Sequence, residues 1–291
     1  VKTHTQEASG SVSAALSTAP SQVRNWMQEN RGRKDSMLLR GSKLAAFAIA
    51  LSMSAGYAEP TRALDNRQAQ LSKALKTKDY AQLQRLVLSA ATPADVKTDL
   101  DWLRDQMFGG ASSAVAMWYA ARLWGVAAPL PAGPGDELRQ AAAAAALYTY
   151  AAIRIDGTRC ADVSAPTGRR ETVLAVFRPI WAFVGTLSPE KRARLVDTAV
   201  KLDRVTAARR TREGDDAFLC RDGLDEIAYN LKRGTSKAVP TPLGGVGRTI
   251  ATGGDGTYKP RVVAEKSWKP KAAQLRAELP QTLTLLVSSA R

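Results

Sequence analysis

A twelve-residue apolar run, Leu44 to Ala55, constrains this chain more than any other feature, because it sets where folding can begin and in which compartment. Arg40 and Lys43 precede it, and Gly56 and Ala58 put small residues three places and one place before a cut in front of Glu59. A basic start, an apolar stretch and a small-residue cut site, in that order, make a cleavable export signal. A membrane-spanning helix needs roughly twenty apolar residues. This run is shorter and polar chain follows it, so an anchor is not expected. A buried helix of a cytosolic domain is the competing reading, and it leaves the order of the three parts unexplained. Residues 37–58 are therefore expected to be the signal. Residues 1–36, polar and rich in Ser, Gln and Arg without periodicity, are expected to be a disordered or untranslated extension. The location expected is periplasmic or secreted, with no integral membrane span after cleavage.

That compartment changes the meaning of the side chains that follow. Cys160 and Cys220 are the only cysteines and both follow the cut, so an oxidising environment implies one disulfide between them. The single histidine, His4, precedes the signal. The exported part then has no imidazole, which removes Ser-His-Asp and Cys-His catalysis and His-containing zinc sites. No cofactor and no metal are expected. From residue 59 the chain keeps 35 Lys+Arg against 24 Asp+Glu, a net charge of +11. Such a surplus favours encounter with polyanions but says nothing about fold.

From Thr61 onward the apolar residues recur at helical spacing. Leu64, Gln68, Leu71 and Leu75 share one face, and Leu83, Leu86, Val87 and Ala90 share the next, with a turn at Thr77 to Asp79. Thr92, Pro93 and Asp95 begin a third helix that Gly109 and Gly110 end. Ser112 caps a fourth through Val126, and the Pro/Gly-rich segment Pro129 to Gly135 is a loop. A long helix from about Asp136 to Ile155 follows, with six alanines from Ala141 to Ala146 that permit close approach of neighbours. Pro179 predicts a break near Arg178, and Ser188-Pro189-Glu190 starts the next helix, whose buried stripe is expected to be Leu195, Ala199 and Leu202 with Val196 and Val205 beside them. A short helix spans Asp222 to Leu231.

At Gly234 the composition turns to Gly, Thr, Pro and basic residues, and the periodicity disappears until a brief helix from Lys271 to Leu279. The apolar end Leu283 to Val287 fits a helix or an edge strand equally. Structureless stretches of this length are commonly functional or disordered. Arg248, Tyr258, Lys259, Arg261, Lys266, Trp268 and Lys269 interleave basic and aromatic residues there, a pattern suited to an anionic partner held by charge and stacking.

Other motifs carry less. Gly244 to Thr249 resembles a phosphate-binding loop, but Pro242 stands where its first glycine belongs and Arg248 where its lysine belongs. Gly253-Gly254-Asp255-Gly256 lacks the acidic ligands of a calcium loop and suits a turn. A hydrolase without histidine would rely on paired carboxylates, and Glu137, Glu171, Asp225 and Glu226 are the candidates. Neighbours such as Asp225 and Glu226 diverge on a helix. Arg209, Arg210 and Arg212 suit the negative end of a helix dipole. The run from Gly109 to Val126 and the alanine-rich helix after it resemble one unit of a Sel1-type helical repeat, but no second copy recurs at a fixed period, so an array is not expected.

The reading that results is an all-α fold: consecutive antiparallel hairpins forming one irregular bundle over 59–233, around Trp102, Trp118, Trp124, Tyr148, Phe177 and Trp181. An irregular basic segment over 234–291, with a short terminal helix, completes it. The function expected is that of an exported binding or scaffold protein of the cell envelope, its partner an anionic envelope component or a protein. A carboxylate-based envelope hydrolase is the alternative. A groove lined by arginine and aromatics would favour binding; two carboxyl groups about 5–9 Å apart would favour the enzyme.

Overall fold

The computed structural model of the chain describes residues 58–233, 236–239, 249–252 and 256–290. The apolar run Leu44 to Ala55 expected to be an export signal, Arg248 and the glycine-rich run from Gly244 lie outside the described residues. Among the described residues there are twelve α-helices, one 3-10 turn and one two-stranded hairpin, and the fold is all-α. The chain divides into two compact units, one ending at Asp99 and the other running on from Leu100.

In the first unit, α1 (Ala58–Lys76) and α2 (Tyr80–Leu88) form the expected hairpin. Asp79 caps α2 by accepting from Gln82 N at 2.9 Å. Leu71, Leu83 and Val87 are buried. The start of α3 (Pro93–Phe108) brings in Asp99, whose two carboxylate oxygens accept from Arg67 Nε at 2.7 Å and Nη2 at 2.8 Å. The same guanidinium donates to Leu86 O at 2.6 Å, so one arginine ties three elements.

The second unit is built on α5 (Pro134–Asp156). Ala142 through Ala146 are all buried there, and their small side chains let α4 (Ser113–Ala127) and α8 (Pro189–Glu213) lie close against it. Ser112 and Ser188 cap α4 and α8 as the sequence implies. Gly110, at φ +76°, makes the turn between α3 and α4, and a Cβ there would come within 3.0 Å of Thr206 O. Pro179 has its expected effect: α6 (Ser164–Val176) stops and α7 (Arg178–Thr186) restarts across Phe177. Trp102, Trp118, Tyr148, Phe177 and Trp181 are buried, but Trp124 is only half-buried and is not a core anchor. Val205 also departs from expectation at 68% exposure, because the buried line of α8 continues through Asp203, Thr206 and Arg210 and turns Val205 outward.

After α9 (Asp216–Leu219) and α10 (Leu224–Lys232) the chain is more regular than its composition suggests. Strands β1 (Ser236–Val239) and β2 (Thr249–Thr252) pair antiparallel, and two helices follow, α11 (Glu265–Ala277) and α12 (Leu279–Ser289). Pro270 lies inside α11 with Trp268 and Ala272 buried around it, so the helix begins a turn earlier than a proline boundary would place it. The undecided C-terminal end is helical, with Leu279, Leu283 and Val287 buried at a spacing of four along one face. Among the described residues, no helix is long and apolar enough to cross a membrane.

Candidate functional site

The expected disulfide is present: Cys160 and Cys220 are joined with their Cα atoms 5.2 Å apart. It anchors the segment that carries most of the proposed anion-binding residues. Ala161 N donates to Arg261 O at 3.0 Å and Val263 N donates to Arg159 O at 2.8 Å, so residues 261–263 lie as a short antiparallel bridge beside Cys160. Arg261 also pairs with Asp225 at 2.8 Å, and Tyr258 rests against Tyr229 with ring centroids 5.5 Å apart. Arg221 covers the Tyr258 ring at 5.7 Å.

Trp268 is buried beneath the Arg159 guanidinium, 5.3 Å from its ring centre, and presents no open face for stacking. Lys269 is paired with Glu265 one helical turn away. Lys259 and Lys266 are exposed. Of the described residues of the set, Trp268 is buried, Tyr258 is half-buried, and two of the cations, Arg261 and Lys269, are matched by carboxylates.

Two of the four candidate carboxylates are engaged, and Glu171 is exposed. Glu226, buried, accepts from Arg221 Nε at 2.9 Å and from Asp222 N at 2.7 Å, while Asp225 holds Arg261. Glu137 is exposed. A carboxylate pair that sequence reasoning missed lies inside the bundle: Asp156 and Asp203 flank Arg210, with Arg210 Nε 2.6 Å from Asp156 and its Nη2 on Asp203. Arg276 of α11 reaches the same two carboxylates at 3.6 and 3.3 Å. Arg210 Nη1 donates to Tyr148 Oη at 3.0 Å. Burial opposes the Arg210 charge, but Asp156 and then its other neighbours more than offset this and hold the pKa above its ordinary value. Burial likewise pushes the Tyr148 phenol up. Both carboxylates face arginine and neither is free to act on a ligand, which makes this a structural cluster.

An open groove lies elsewhere, where the end of α4, the start of α5, α7 and the first turn of α8 meet. Its volume is about 490 Å³, within the range of small-ligand sites. Trp124 and Phe183, both half-buried, form its aromatic wall with ring centroids 5.7 Å apart and planes at 55°. Pro179, Leu187 and Ala128 extend the apolar lining, and Asp136, Arg139 and Lys191 supply the charge. Arg139 is already committed. It donates to Asp136 at 2.6 Å and to the carbonyls of Ala128 and Leu130, satisfying acceptors that the end of α4 leaves open. Asp136 accepts from Arg139 and from Gly133 N, and these bonds, Arg139 first, hold its carboxyl below the usual range. Lys191 is exposed and forms no ion pair among the described residues, though its charge adds a smaller contribution to the lowering of the Asp136 pKa.

The sequence signal for this groove was weak but present. Trp124 and Phe183 are large aromatics near the two helix breaks at Pro129 and Ser188. Among the described residues, no group of three or more His, Cys, Asp or Glu is placed to hold a metal ion. No family model, curated protein or solved structure matches the chain.

Proposed function

We propose that this is an exported α-helical binding protein of the cell envelope whose groove receives an anionic partner. One observation carries the reading: the groove joins an aromatic wall to two cations and a single carboxylate, and that carboxylate is bound to Arg139. This is the arrangement for holding a ligand with an apolar body and a negative end. A two-carboxylate hydrolase would need a second, unpaired acid across the cleft. The net positive charge supports encounter with such partners.

The test is ligand-observed NMR on the purified protein with a small-molecule extract of envelope material, comparing the wild type with Ala128→Trp. Ala128 is exposed and lines the groove, so the indole fills the cleft without disturbing the core. Components that bind the wild type and are lost on Ala128→Trp support the reading. Identical binding profiles for the two proteins would sink it.

A further inference from the structure

We infer that the groove's ligand is a small carboxylic acid with a flat, apolar body, its ring against Trp124 and Phe183 and its carboxylate at Lys191 Nζ. This rests on the binding-protein reading above and names the ligand class. Size comes first: about 490 Å³ accommodates a one- or two-ring molecule. The tilted Trp124 and Phe183 rings present π-surface that favours a flat partner over a branched aliphatic one.

Charge narrows the class further. Arg139 spends its donors on Asp136, Ala128 O and Leu130 O, and both Asp136 oxygens are engaged by Arg139 and Gly133 N. The charge left to meet a ligand is the Lys191 ammonium. Two cations and one carboxylate also leave the lining at a net single positive charge. A monoanion matches that; a phosphate monoester, with nearly two charges and three acceptor oxygens, calls for more donors than the groove offers. A cationic ligand would meet Lys191 and Arg139 with like charge. A zwitterion would need Asp136 to release Arg139.

The experiment titrates 2-naphthoate, 2-naphthamide and 2-(aminomethyl)naphthalene in its cationic form into wild type, Lys191→Gln and Ala128→Trp, read by calorimetry and ligand-observed NMR. Lys191 is exposed on the first turn of α8, so its replacement leaves the packing intact. Naphthoate is expected to bind the wild type about tenfold more tightly than the amide, the scale of one charge-assisted hydrogen bond. Lys191→Gln should remove that preference, Ala128→Trp should remove binding, and the cation should bind most weakly. Equal affinity for acid and amide, or a preference that survives Lys191→Gln, overturns the assignment. If the naphthyl probes fail while an envelope component still binds in an Ala128→Trp-sensitive way, the ligand class is wrong and the binding-protein reading stands. If neither binds, both fall.

Discussion

Arg210 shows what a single residue can hide in a sequence. It sits in the run Arg209-Arg210-Thr211-Arg212, which reads as a solvated helix end, yet its side chain is buried between Asp156 and Asp203. Asp203, Thr206 and Arg210 continue the stripe of Leu195, Ala199 and Leu202 at helical spacing, so the position was legible as inward-facing. Its burial was not, because arginine is rarely buried unless it is paired and the partners come from residues 54 and 7 positions away. Arg210→Met should leave two buried carboxylates short of their main cation and cost about 3–5 kcal/mol in urea unfolding, whereas Arg209→Ala, exposed and paired only with Glu213, should cost under about 1 kcal/mol. An Arg210→Met variant as stable as Arg209→Ala would show that Arg276 alone neutralises the pair. Asp162 gives a pH signature at the same scale. Burial would raise its pKa, but hydrogen bonds from Ser164 and from Asp225 N, with Arg261 nearby, bring it below the ordinary value. A carboxyl depressed in the folded state contributes stability above its unfolded pKa and loses it as pH falls through the folded one. Stability measured between pH 6 and pH 2 should therefore fall less steeply for Asp162→Asn than for wild type. Parallel slopes would mean that Asp162 does not contribute to the acid limb.

At the scale of elements, local signals served well wherever apolar spacing, caps and prolines agreed. α2, α4, α7 and α8 begin beside the Asp, Ser or Pro that marks them. The C-terminal third was less legible because its order comes from pairing partners distant in sequence. Residues 261–263 bridge to Cys160, Trp268 is covered by Arg159, and α12 packs on α8 and α7. None of these contacts leaves a local periodic trace, and Pro270 actively suggests a loop where α11 runs through it. Leu279 was read as the end of the preceding helix and Leu283 to Val287 fitted helix or strand equally, so α12 shows its buried face of Leu279, Leu283 and Val287 only in the structure. Near the disulfide, Gly223 allows a close approach, since a Cβ there would stand 2.2 Å from Asp162 Oδ2. The Cys160–Cys220 link closes a loop with a sequence separation of 60, for which the chain-entropy model gives about 4 kcal/mol. The Cys160→Ser/Cys220→Ser pair should lower the unfolding free energy by about that amount while far-ultraviolet circular dichroism stays helical. An unchanged denaturation midpoint would show that the bridge closes a loop the unfolded chain already restricts.

For the whole molecule, the disulfide and the proposal that residues 37–58 are a cleavable export signal lead to one joint prediction. A cut before Glu59 would fall at the first residue of α1, so that removal of the signal leaves that helix essentially entire. A disulfide such as Cys160–Cys220, with its Cα atoms 5.2 Å apart, forms readily in an oxidising compartment and is uncommon in a reducing cytosol. These two observations make a single expected outcome. Expressed in a bacterium with residues 37–58 in place, the chain should be recovered from the periplasm with Glu59 at its N-terminus and no free thiol. Expressed in the cytosol from residue 59, it should carry two titratable thiols and unfold at lower denaturant, and oxidation after purification should restore the difference. N-terminal sequencing and thiol titration read both parts. Recovery in the membrane fraction with Leu44 to Ala55 still attached would make the apolar run an anchor, and the groove's ligand would then have to be sought at a membrane surface instead of in solution.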